Sequence, residues 1–334
     1  MKKMSKIKYF VVMLLMLIFV GCGAKDEKST KKLDTVDVVL DWYPNAIHCF
    51  LYNAIEKGYF EKEGIKVNIH FPSNTSDPMA LPAAKQADIG IYYMHHLLIA
   101  VANENIPIKA IGAVTQGPTN VIIALKENNI KRPKDLEGKT IGYSGAAVTD
   151  KMLRDMIKND GGDPSNIKLI DVGFELLTSM ITKRVDATNG GMVNHEVPVM
   201  KERGLDVDYF FPSNYGIPNY YEEIFVANDN FIKERKDVYK RFLIACRKGF
   251  EDMQNDPEGS LDVLLAAQEA EQFPLTRSVE KQSIDILIPI MKKEGIPFLD
   301  QNKKVWEENI DWMYEKGLIN KKVKPEEVFV NILD

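Results

Sequence analysis

The sequence predicts an α/β protein with two lobes, in which helices cover parallel sheets. Short apolar segments typical of strands alternate with helical segments along most of the chain, which is the pattern of βαβ units. The chain has 334 residues, more than a single compact core usually holds, and 45% of them are hydrophobic. The alternation restarts near Lys126, so we expect two lobes of similar build.

The first lobe is predicted to open with a buried strand over 36–40, because this segment is rich in branched residues. A helix follows from 49 and stops at Gly58. Apolar and polar residues then alternate, which favours a half-buried strand. The elements expected after the first helix are strands at 65–69, 87–91, 108–114 and 121–125, and a helix at 96–103.

The second lobe is predicted to repeat this plan, and the chain then returns to the first lobe. Strands are expected at 140–143, 167–171, 185–190, 206–211 and 224–227. Helices dominate from residue 235 to the end. We expect the chain to cross between lobes near 125–129 and near 221–225. The predicted boundaries are therefore 35–125 with 225–334 for lobe 1, and 126–224 for lobe 2.

The N-terminus has the pattern of an export signal. Several lysines precede an unbroken apolar run over 9–20, about the length of a signal-peptide core and shorter than the roughly 20 residues of a membrane-spanning helix. The run ends in Phe19-Val20-Gly21-Cys22, which resembles the bacterial lipobox. We therefore predict a lipoprotein signal peptide at 1–22, lipidation of Cys22, a flexible tether at 23–34, and a protein anchored on the extracytoplasmic face of a cell membrane. A plain secretory signal is the alternative.

Composition and cysteine spacing argue against several function classes. The net charge of -5 provides no basic field for nucleic acid. Cys22, Cys49 and Cys246 are too scattered for a zinc site or a disulfide framework. His95 and His96 are adjacent on a predicted helix and point in different directions, so a joint metal site is not expected. Because no catalytic constellation is evident, we predict no enzyme activity, no cofactor and no metal.

A candidate binding site lies where the first strand gives way to the first helix, since ligands of open α/β sheets bind beyond the carboxyl ends of strands. There Trp42 offers a flat face and Asn45 offers both a donor and an acceptor. His48, in the first helical turn, is expected to stay neutral beside the positive end of the helix. A core tryptophan, a turn asparagine and a surface histidine are the equally open alternative.

Other strand ends are predicted to add aromatic and polar side chains to this site. Several aromatics at strand ends suggest a planar ring stacked between them, and the carboxylate of Glu196 suits the amino edge of a heterocycle. Ser144 is a possible ligand contact, although a structural turn also explains it. A carboxylate at a helix start that faces water is the alternative for Glu196. The predicted ligand-binding residues are Trp42, Asn45, His48, Tyr92, Tyr93, Ser144, Asn194, Glu196 and Tyr221.

Several segments, in order, resemble the NMT1/THI5-like family. The opening is Asp41-Trp42-Tyr43-Pro44-Asn45 with His48, followed by the segment 56–64. Further matches lie at 87–91, 135–139, 190–196, 216–221 and 312–319, so the resemblance covers nearly all of the mature chain. It implies a type II periplasmic-binding-protein fold, with two α/β lobes and a two-strand hinge. It also implies a substrate-binding lipoprotein of an ABC transporter, close to receptors for pyrimidine precursors of thiamine such as formylaminopyrimidine and hydroxymethylpyrimidine.

The resemblance also implies how such a ligand is held and which partners the protein has. The pyrimidine would stack on aromatic rings while a glutamate reads its amino group. By position this involves Trp42, Asn45, Tyr92 or Tyr93, Asn194, Glu196 and Tyr221. Permease and ATPase subunits would be the partners of a monomeric receptor. Riboflavin or another heteroaromatic solute is an alternative ligand.

A second branch of the family makes the thiamine pyrimidine inside cells. The resemblance implies that this enzyme uses pyridoxal phosphate, a sacrificed active-site histidine and a cluster of cysteines. His96 falls near the position of that histidine. This chain lacks the cysteine cluster and carries an export signal, so we favour a receptor over this enzyme.

Overall fold

Two five-stranded sheets organise the protein, described here by a computed structural model over residues 32–144, 148–268 and 274–333. The predicted signal peptide, Cys22 and nearly all of the tether lie outside the described residues. The first strand begins at Asp34, where the tether was expected to end. Among the described residues, no helix is both long and apolar enough to cross a membrane.

Strands and helices alternate as the sequence predicts, and the strands form two separate sheets. In the described part of the chain the strands are β1 (Asp34–Val39), β2 (Ile65–His70), β3 (Ile89–Tyr93), β4 (Ile108–Ala113), β5 (Asn120–Leu125), β6 (Thr140–Tyr143), β7 (Lys168–Asp171), β8 (Ala187–Met192), β9 (Val207–Phe210) and β10 (Glu223–Asn228). The first sheet has the order β2-β1-β3-β10-β4, and the second has the order β7-β6-β8-β5-β9.

Helices pack on the two sheets and form most of the C-terminal third. Their described bounds are Cys49–Glu56, Tyr59–Lys62, Asp77–Ala83, Met94–Glu104, Val148–Asn159, Leu176–Ile181, Glu196–Glu202, Asp229–Glu234, Lys236–Asn255, Pro257–Ala266, Arg277–Met291, Lys303–Glu315 and Pro325–Val328. Short 3₁₀ helices lie at Ala46–His48, Lys126–Asn128, Pro133–Leu136 and Pro212–Tyr215.

The two sheets share one topology. Each contains one strand that the chain reaches after it crosses from the other lobe, and this strand pairs antiparallel with both of its neighbours. β5 pairs antiparallel with β8 and β9, and β10 pairs antiparallel with β3 and β4. The predicted assignment of residues up to 125 to lobe 1 is therefore wrong for β5, which lies in the second sheet. An apolar run such as 121–125 has the same pattern in either sheet, so sequence alone does not choose its partners. The return to the first sheet begins at Glu223, close to the expected 225.

The two crossings lie side by side at the base of the space between the sheets. They are the segments 114–119 and 211–222, the second of which contains the 3₁₀ helix Pro212–Tyr215. The backbone amides of Val114 and Thr115 donate to the carbonyl oxygen of Glu223, at 2.8 and 3.2 Å. The carboxylate of Glu222 accepts from the backbone amides of Thr119, at 3.2 Å, and Asn120, at 2.8 Å. A buried carboxylate thus joins the two segments on which any hinge motion depends.

The first lobe is held by close packing of the helices Cys49–Glu56 and Lys236–Asn255. Gly249 permits this approach, because a Cβ built on it would lie 2.0 Å from the carbonyl oxygen of Phe50. Cys49 and Cys246 are buried in this core as free thiols. The helix pair fixes the position of the turn that precedes it, which carries Trp42.

Candidate functional site

A cleft between the two sheets collects side chains from strand ends of both lobes. Its main compartment has an empty volume of about 760 Å³ and is lined by aromatic side chains, among them Trp42, Tyr92, Tyr93, His96 and Tyr220. A second compartment of about 370 Å³ adjoins it. The two compartments share the lining residues Asp41, Trp42, Tyr93, Gly190 and Met192, and the second is completed mainly by Asn45, Ile47, Leu176, Asn194, Glu196 and Glu223.

Asp41 is held at the border of the compartments by two buried hydrogen bonds. His48 Nε2 lies 2.9 Å from one carboxylate oxygen, and the hydroxyl of Tyr93 donates to the other at 3.2 Å. His48 Nδ1 accepts from the backbone amide of Asn45 at 3.2 Å, so Nε2 carries the proton and donates to Asp41. His48 is fully buried and lines neither compartment. His48, which the sequence predicted as a ligand contact, therefore orients Asp41 from behind the cleft wall.

Asn45 acts as a cap and lines the second compartment at the same time. Its Oδ1 accepts from the amide of Ile47 at 3.1 Å, which caps the helix Ala46–His48, and its Nδ2 donates to the carbonyl of Tyr43 at 3.1 Å. These bonds occupy its polar atoms. Asn45 is therefore a turn residue that also lines the cleft.

Trp42 connects the two lobes as well as lining both compartments. Its ring packs edge-on against Phe174 of the second lobe with centroids 4.4 Å apart, and Tyr43 meets the same ring at 5.3 Å. Aromatic pairs at such distances stabilise beyond their buried area. Trp42 and Glu196, which the sequence placed in one site, both line the second compartment.

The second lobe brings small and polar residues to the main compartment. Gly190 has a φ of +109°, a conformation that favours glycine, and it lines both compartments beside Ser144. Asn120 and Asn189 face the same space from β5 and β8. Their Oδ1 atoms are buried and have no hydrogen-bond partner. Unsatisfied buried acceptors are rare in native proteins, which makes both oxygens candidate partners for N–H donors of a bound molecule.

Glu196 is buried, and each of its two oxygens has a hydrogen-bond partner within its own lobe. One oxygen accepts from the backbone amide of Met192 at 2.6 Å, and the other lies 3.0 Å from Nδ1 of His195. Burial lowers the pKa of His195, but the Glu196 carboxylate, with Glu280 of the first lobe, outweighs it and raises that pKa to about 9. Because His195 is then charged at neutral pH, Glu196 belongs to an ion pair rather than being a free acceptor.

Tyr221 lies outside the cleft, and its neighbour Tyr220 lines it. The Tyr221 hydroxyl accepts from the backbone amide of Asn302 at 2.7 Å, and the ring is nearly fully buried beside Trp306. Adjacent side chains of an extended segment point in opposite directions, so only one of the two tyrosines can face the cleft. The prediction of Tyr221 as a ligand contact is not supported by its position.

This arrangement predicts different effects for two matched hydroxyl deletions. We expect Tyr220→Phe to weaken ligand binding by roughly 3- to 10-fold, because its hydroxyl bonds to Glu222 at the cleft wall. We expect Tyr221→Phe to leave affinity within twofold while lowering the free energy of unfolding by about 1 kcal/mol. Calorimetric titration and urea unfolding of both variants check this. A larger affinity loss in Tyr221→Phe would contradict the placement.

The cleft is acidic. Asp41 and Glu222 line the main compartment, Glu196 and Glu223 line the second together with the charged His195 that pairs with Glu196, and no lysine or arginine lines either one among the described residues. Burial raises the pKa of Glu222 to about 7. Burial, reinforced by the nearby Asp41 and Glu222, also raises the pKa of Glu223 well above its ordinary value. Such a site disfavours anions and suits neutral or cationic molecules that carry N–H donors.

Comparison with known proteins identifies the family. Residues 45–260 match the family described as NMT1/THI5 like. The chain is also 38% identical over 331 residues to the Formylaminopyrimidine-binding protein of Halalkalibacterium halodurans, an alignment that covers 99% of this chain and 100% of that protein. The chain belongs to the NMT1/THI5-like family.

Members of the NMT1/THI5-like family include an enzyme as well as a binding protein. The chain is 30% identical over 240 residues to the 4-amino-5-hydroxymethyl-2-methylpyrimidine phosphate synthase of Schizosaccharomyces pombe, covering 69% of this chain and 67% of that protein. The solved structure of the periplasmic aliphatic sulphonate binding protein SsuA from Escherichia coli matches with a TM-score of 0.68 at 14% identity, over 88% of this chain and 96% of that one. This likeness confirms the predicted periplasmic-binding-protein fold.

Several cleft residues of this NMT1/THI5-like protein were not among the sequence candidates. The main ones are Asp41, Asn120, Asn189 and Glu222. Asp41 precedes Trp42 and Glu222 follows the tyrosine pair, so proximity to predicted aromatics was an available signal. Asn120 and Asn189 lie at the ends of strands that became neighbours only through the pairing of β5 with β8. No local pattern distinguishes such residues from ordinary surface asparagines.

Proposed function

We propose that this chain is an extracytoplasmic solute-binding lipoprotein of an ABC importer, and that its cleft captures a pyrimidine precursor of thiamine such as formylaminopyrimidine or hydroxymethylpyrimidine. The observation that carries the proposal is the lining of the main compartment, where aromatic rings surround buried oxygen acceptors. An aminopyrimidine is flat, uncharged at neutral pH, and has N–H donors on its edge, which matches this lining. The full-length relative in Halalkalibacterium halodurans supports the same ligand class.

The acidic lining separates this site from one for sulfonates, although the fold is shared with SsuA. A sulfonate requires positive charge or several free donors. No lysine or arginine lines the described cleft, and the charged His195 of the second compartment is already paired with Glu196. We propose that Cys22 carries a lipid anchor and that the receptor works as a monomer with permease and ATPase subunits. The apolar run and lipobox-like segment before Cys22 support the anchor.

Calorimetric titration of the purified mature protein tests this proposal. The ligands are formylaminopyrimidine, hydroxymethylpyrimidine, thiamine and riboflavin, with the sulfonate MOPS as the anionic control. We expect at least one pyrimidine precursor to bind more tightly than riboflavin, and MOPS not to bind. Binding of riboflavin alone would reassign the ligand to another heteroaromatic solute. Failure of all four heterocycles would refute the thiamine-precursor function.

Trp42 is expected to contribute strongly to that binding. Trp42→Ala should weaken affinity for the pyrimidine by about 1–3 kcal/mol, because it removes an aromatic wall shared by both compartments and the contact with Phe174. Trp42→Phe is the matched control and should recover most of the loss, since it keeps an aromatic face. Calorimetry on both variants measures the difference. If Trp42→Ala bound the pyrimidine with near wild-type affinity, the pyrimidine ring would not lie against Trp42.

A pyrimidine synthase is the second candidate function. It is favoured by the Schizosaccharomyces pombe relative and by His96, which lines the main compartment with a buried, unpartnered Nδ1. Pyridoxal phosphate would require a lysine for a Schiff base and groups that neutralise a phosphate. The described lining residues include no lysine or arginine, so they do not fit this cofactor. An absorbance band of a lysine Schiff base after incubation with pyridoxal phosphate would support the enzyme, and its absence would eliminate it.

A further inference from the structure

One helix of the first lobe, Arg277–Met291, also contacts the second lobe. Its buried face, which includes Leu287, belongs to the apolar core of the first lobe. The same helix packs against the helix Glu196–Glu202 of the second lobe. Its residue Ile286 is partly buried against the apolar core of the second lobe, which includes Val197. The helix Arg277–Met291 therefore lies at the border between the lobes and contributes to both cores.

A hydrogen bond between the lobes accompanies this apolar contact. Nδ2 of Asn194, in the second lobe, donates to Oγ of Ser283 on the helix at 3.2 Å. Glu280 precedes Ser283 by three residues, so the two side chains lie on the same face of the helix. The Glu280 carboxyl is buried and accepts from the backbone amide of Ala46 at 2.8 Å. Ala46 belongs to the first lobe, so this bond fixes the carboxyl at the border.

A charged histidine of the second lobe faces the Glu280 carboxyl. Burial lowers the pKa of His195, but three facing carboxyls outweigh this effect and raise it to about 9. They belong to Glu196 on the adjoining helix, to Glu280 across the border, and to Asp41 in the turn after β1. Burial raises the pKa of Glu280, and the charge of His195 opposes that increase. Because two of the three carboxyls lie in the first lobe, the charge on His195 favours contact between the lobes.

The first-lobe residues of this border do not belong to the cleft. Glu280, Ser283 and Ile286 line neither compartment. A molecule bound in the cleft therefore leaves their contacts with the second lobe unchanged. A contact that exists only when the lobes are together shifts the equilibrium between joined and separated lobes by its own free energy.

We propose that the helix Arg277–Met291 is a latch, in which Glu280, Ser283 and Ile286 hold the lobes together through contacts that the ligand does not touch. This inference goes beyond the proposed function and does not depend on the identity of the ligand. The latch sets the fraction of receptor with joined lobes before binding, and that fraction scales the apparent affinity for any ligand of the joined form. It is strongest while His195 is charged.

Trp42 reports contact between the lobes in the native chain. Its ring is partly buried and meets Phe174 of the second lobe with centroids 4.4 Å apart. The other two tryptophans, Trp306 and Trp312, are buried. Quenching of tryptophan fluorescence by acrylamide therefore rises mainly through Trp42 when the lobes separate. Small-angle X-ray scattering of the same samples measures the radius of gyration as a second, independent signal.

The double variant Glu280→Gln with Ser283→Ala tests the latch. We expect it to lower the ratio of joined to separated lobes roughly 10-fold, which raises both the quenching and the radius of gyration. Glutamine still accepts from the Ala46 amide, so Glu280→Gln removes the charge and keeps the position of the side chain. The matched controls are Asp285→Asn and Ser278→Ala, at exposed positions of the same helix, and both should give the wild-type signals.

A pH series from about 7.5 to about 10 tests the part played by His195. Joined lobes bind its proton more tightly than separated lobes, in which Glu280 no longer faces it. The preference for joined lobes is therefore present at neutral pH and is lost as pH rises through about 9, so wild-type quenching should increase over this range. Glu280→Gln should reduce that increase, and Asp285→Asn should retain it.

The outcomes separate the latch from the proposed function, because every measurement is made on the mature protein without ligand. Wild-type quenching and radius of gyration in the double variant would overturn the latch. A full pH response in Glu280→Gln would overturn the role of the charge pair. Circular dichroism establishes that each variant is folded, and if the double variant is not, Ser283→Ala alone should shift both signals in the same direction. Failure of every pyrimidine to bind would refute the proposed function and leave these results unchanged.

Discussion

Asp41→Ala is expected to lower the free energy of unfolding by about 3 kcal/mol and to weaken ligand binding at least roughly 10-fold. The Asp41 carboxylate bonds both His48 Nε2 and the Tyr93 hydroxyl in a buried setting, so its removal leaves two buried donors without an acceptor. Tyr93 would lose the bond that fixes its ring between the compartments. Both effects arise from one carboxylate at the border of the cleft.

Urea unfolding and calorimetric titration measure the two effects of Asp41→Ala. Asp206→Ala is the matched control, because the Asp206 side chain is 82% exposed and pairs only loosely with Lys126 at 3.7 Å. Exposed substitutions of this kind usually change stability by less than about 0.5 kcal/mol. If Asp41→Ala lowered the free energy of unfolding as little as Asp206→Ala, the hydrogen bonds of Asp41 with His48 and Tyr93 would not stabilise the cleft.

Glu222 is expected to make the stability of the protein fall as pH rises from about 4.5 to about 7. Burial raises its folded-state pKa to about 7, whereas the unfolded chain has the ordinary value of 4.5. Between these values the folded state binds one more proton than the unfolded state, so the free energy of unfolding decreases with pH. The stabilisation is complete below pH 4.5 and is lost as pH rises through 7. Its full size is about 3 kcal/mol.

The variant Glu222→Gln tests this contribution, because glutamine resembles the protonated carboxyl and does not titrate. Its single carbonyl oxygen can still accept from the amides of Thr119 and Asn120, which both bond one oxygen of Glu222. We expect the difference in unfolding free energy between wild type and variant to change by up to about 3 kcal/mol between pH 4.5 and 7.5. Since Glu222 also raises the pKa of Glu223, the difference includes the coupling between these two carboxyls. Taking the difference removes the titration of His195 above pH 6.5 and of the buried His95 and His96 below it. Parallel pH curves would show that Glu222 is ionised throughout.

The main features of the fold follow from local patterns in the sequence. The segments 36–40 and 65–69 carry branched and alternating apolar residues, and they form β1 and β2 in parallel register. Gly58 ends the first helix in a left-handed conformation, as a glycine at that place predicts. The sequence did not show which of the two sheets each strand joins. The run 121–125 was recognised as a strand, but only its pairing with β8 and β9 assigned it to the second lobe.

The sequence predicted which residues line the candidate site better than it predicted which hydrogen bonds their side chains form. Trp42, Tyr92, Tyr93, Ser144, Asn194 and Glu196 all line the cleft, together with Asn45. The sequence could not show that His48 lies behind Asp41 or that Tyr220 replaces Tyr221 at the wall. Nor could it show that Glu196 is paired with His195 while Asn194 is left open, because these facts depend on side-chain orientation and on contacts between lobes.

The sequence by itself determined the two-lobed α/β class, the family, and the strand ends that face the cleft, because periodicity, glycines and ordered motifs are local features of the chain. Tertiary structure decided which polar atoms are free to meet a ligand. That choice depends on hydrogen bonds between residues far apart in the chain, such as Glu222 with Asn120 and Asn194 with Ser283. A buried acceptor that the folded protein leaves unsatisfied gains most from the N–H group of a ligand.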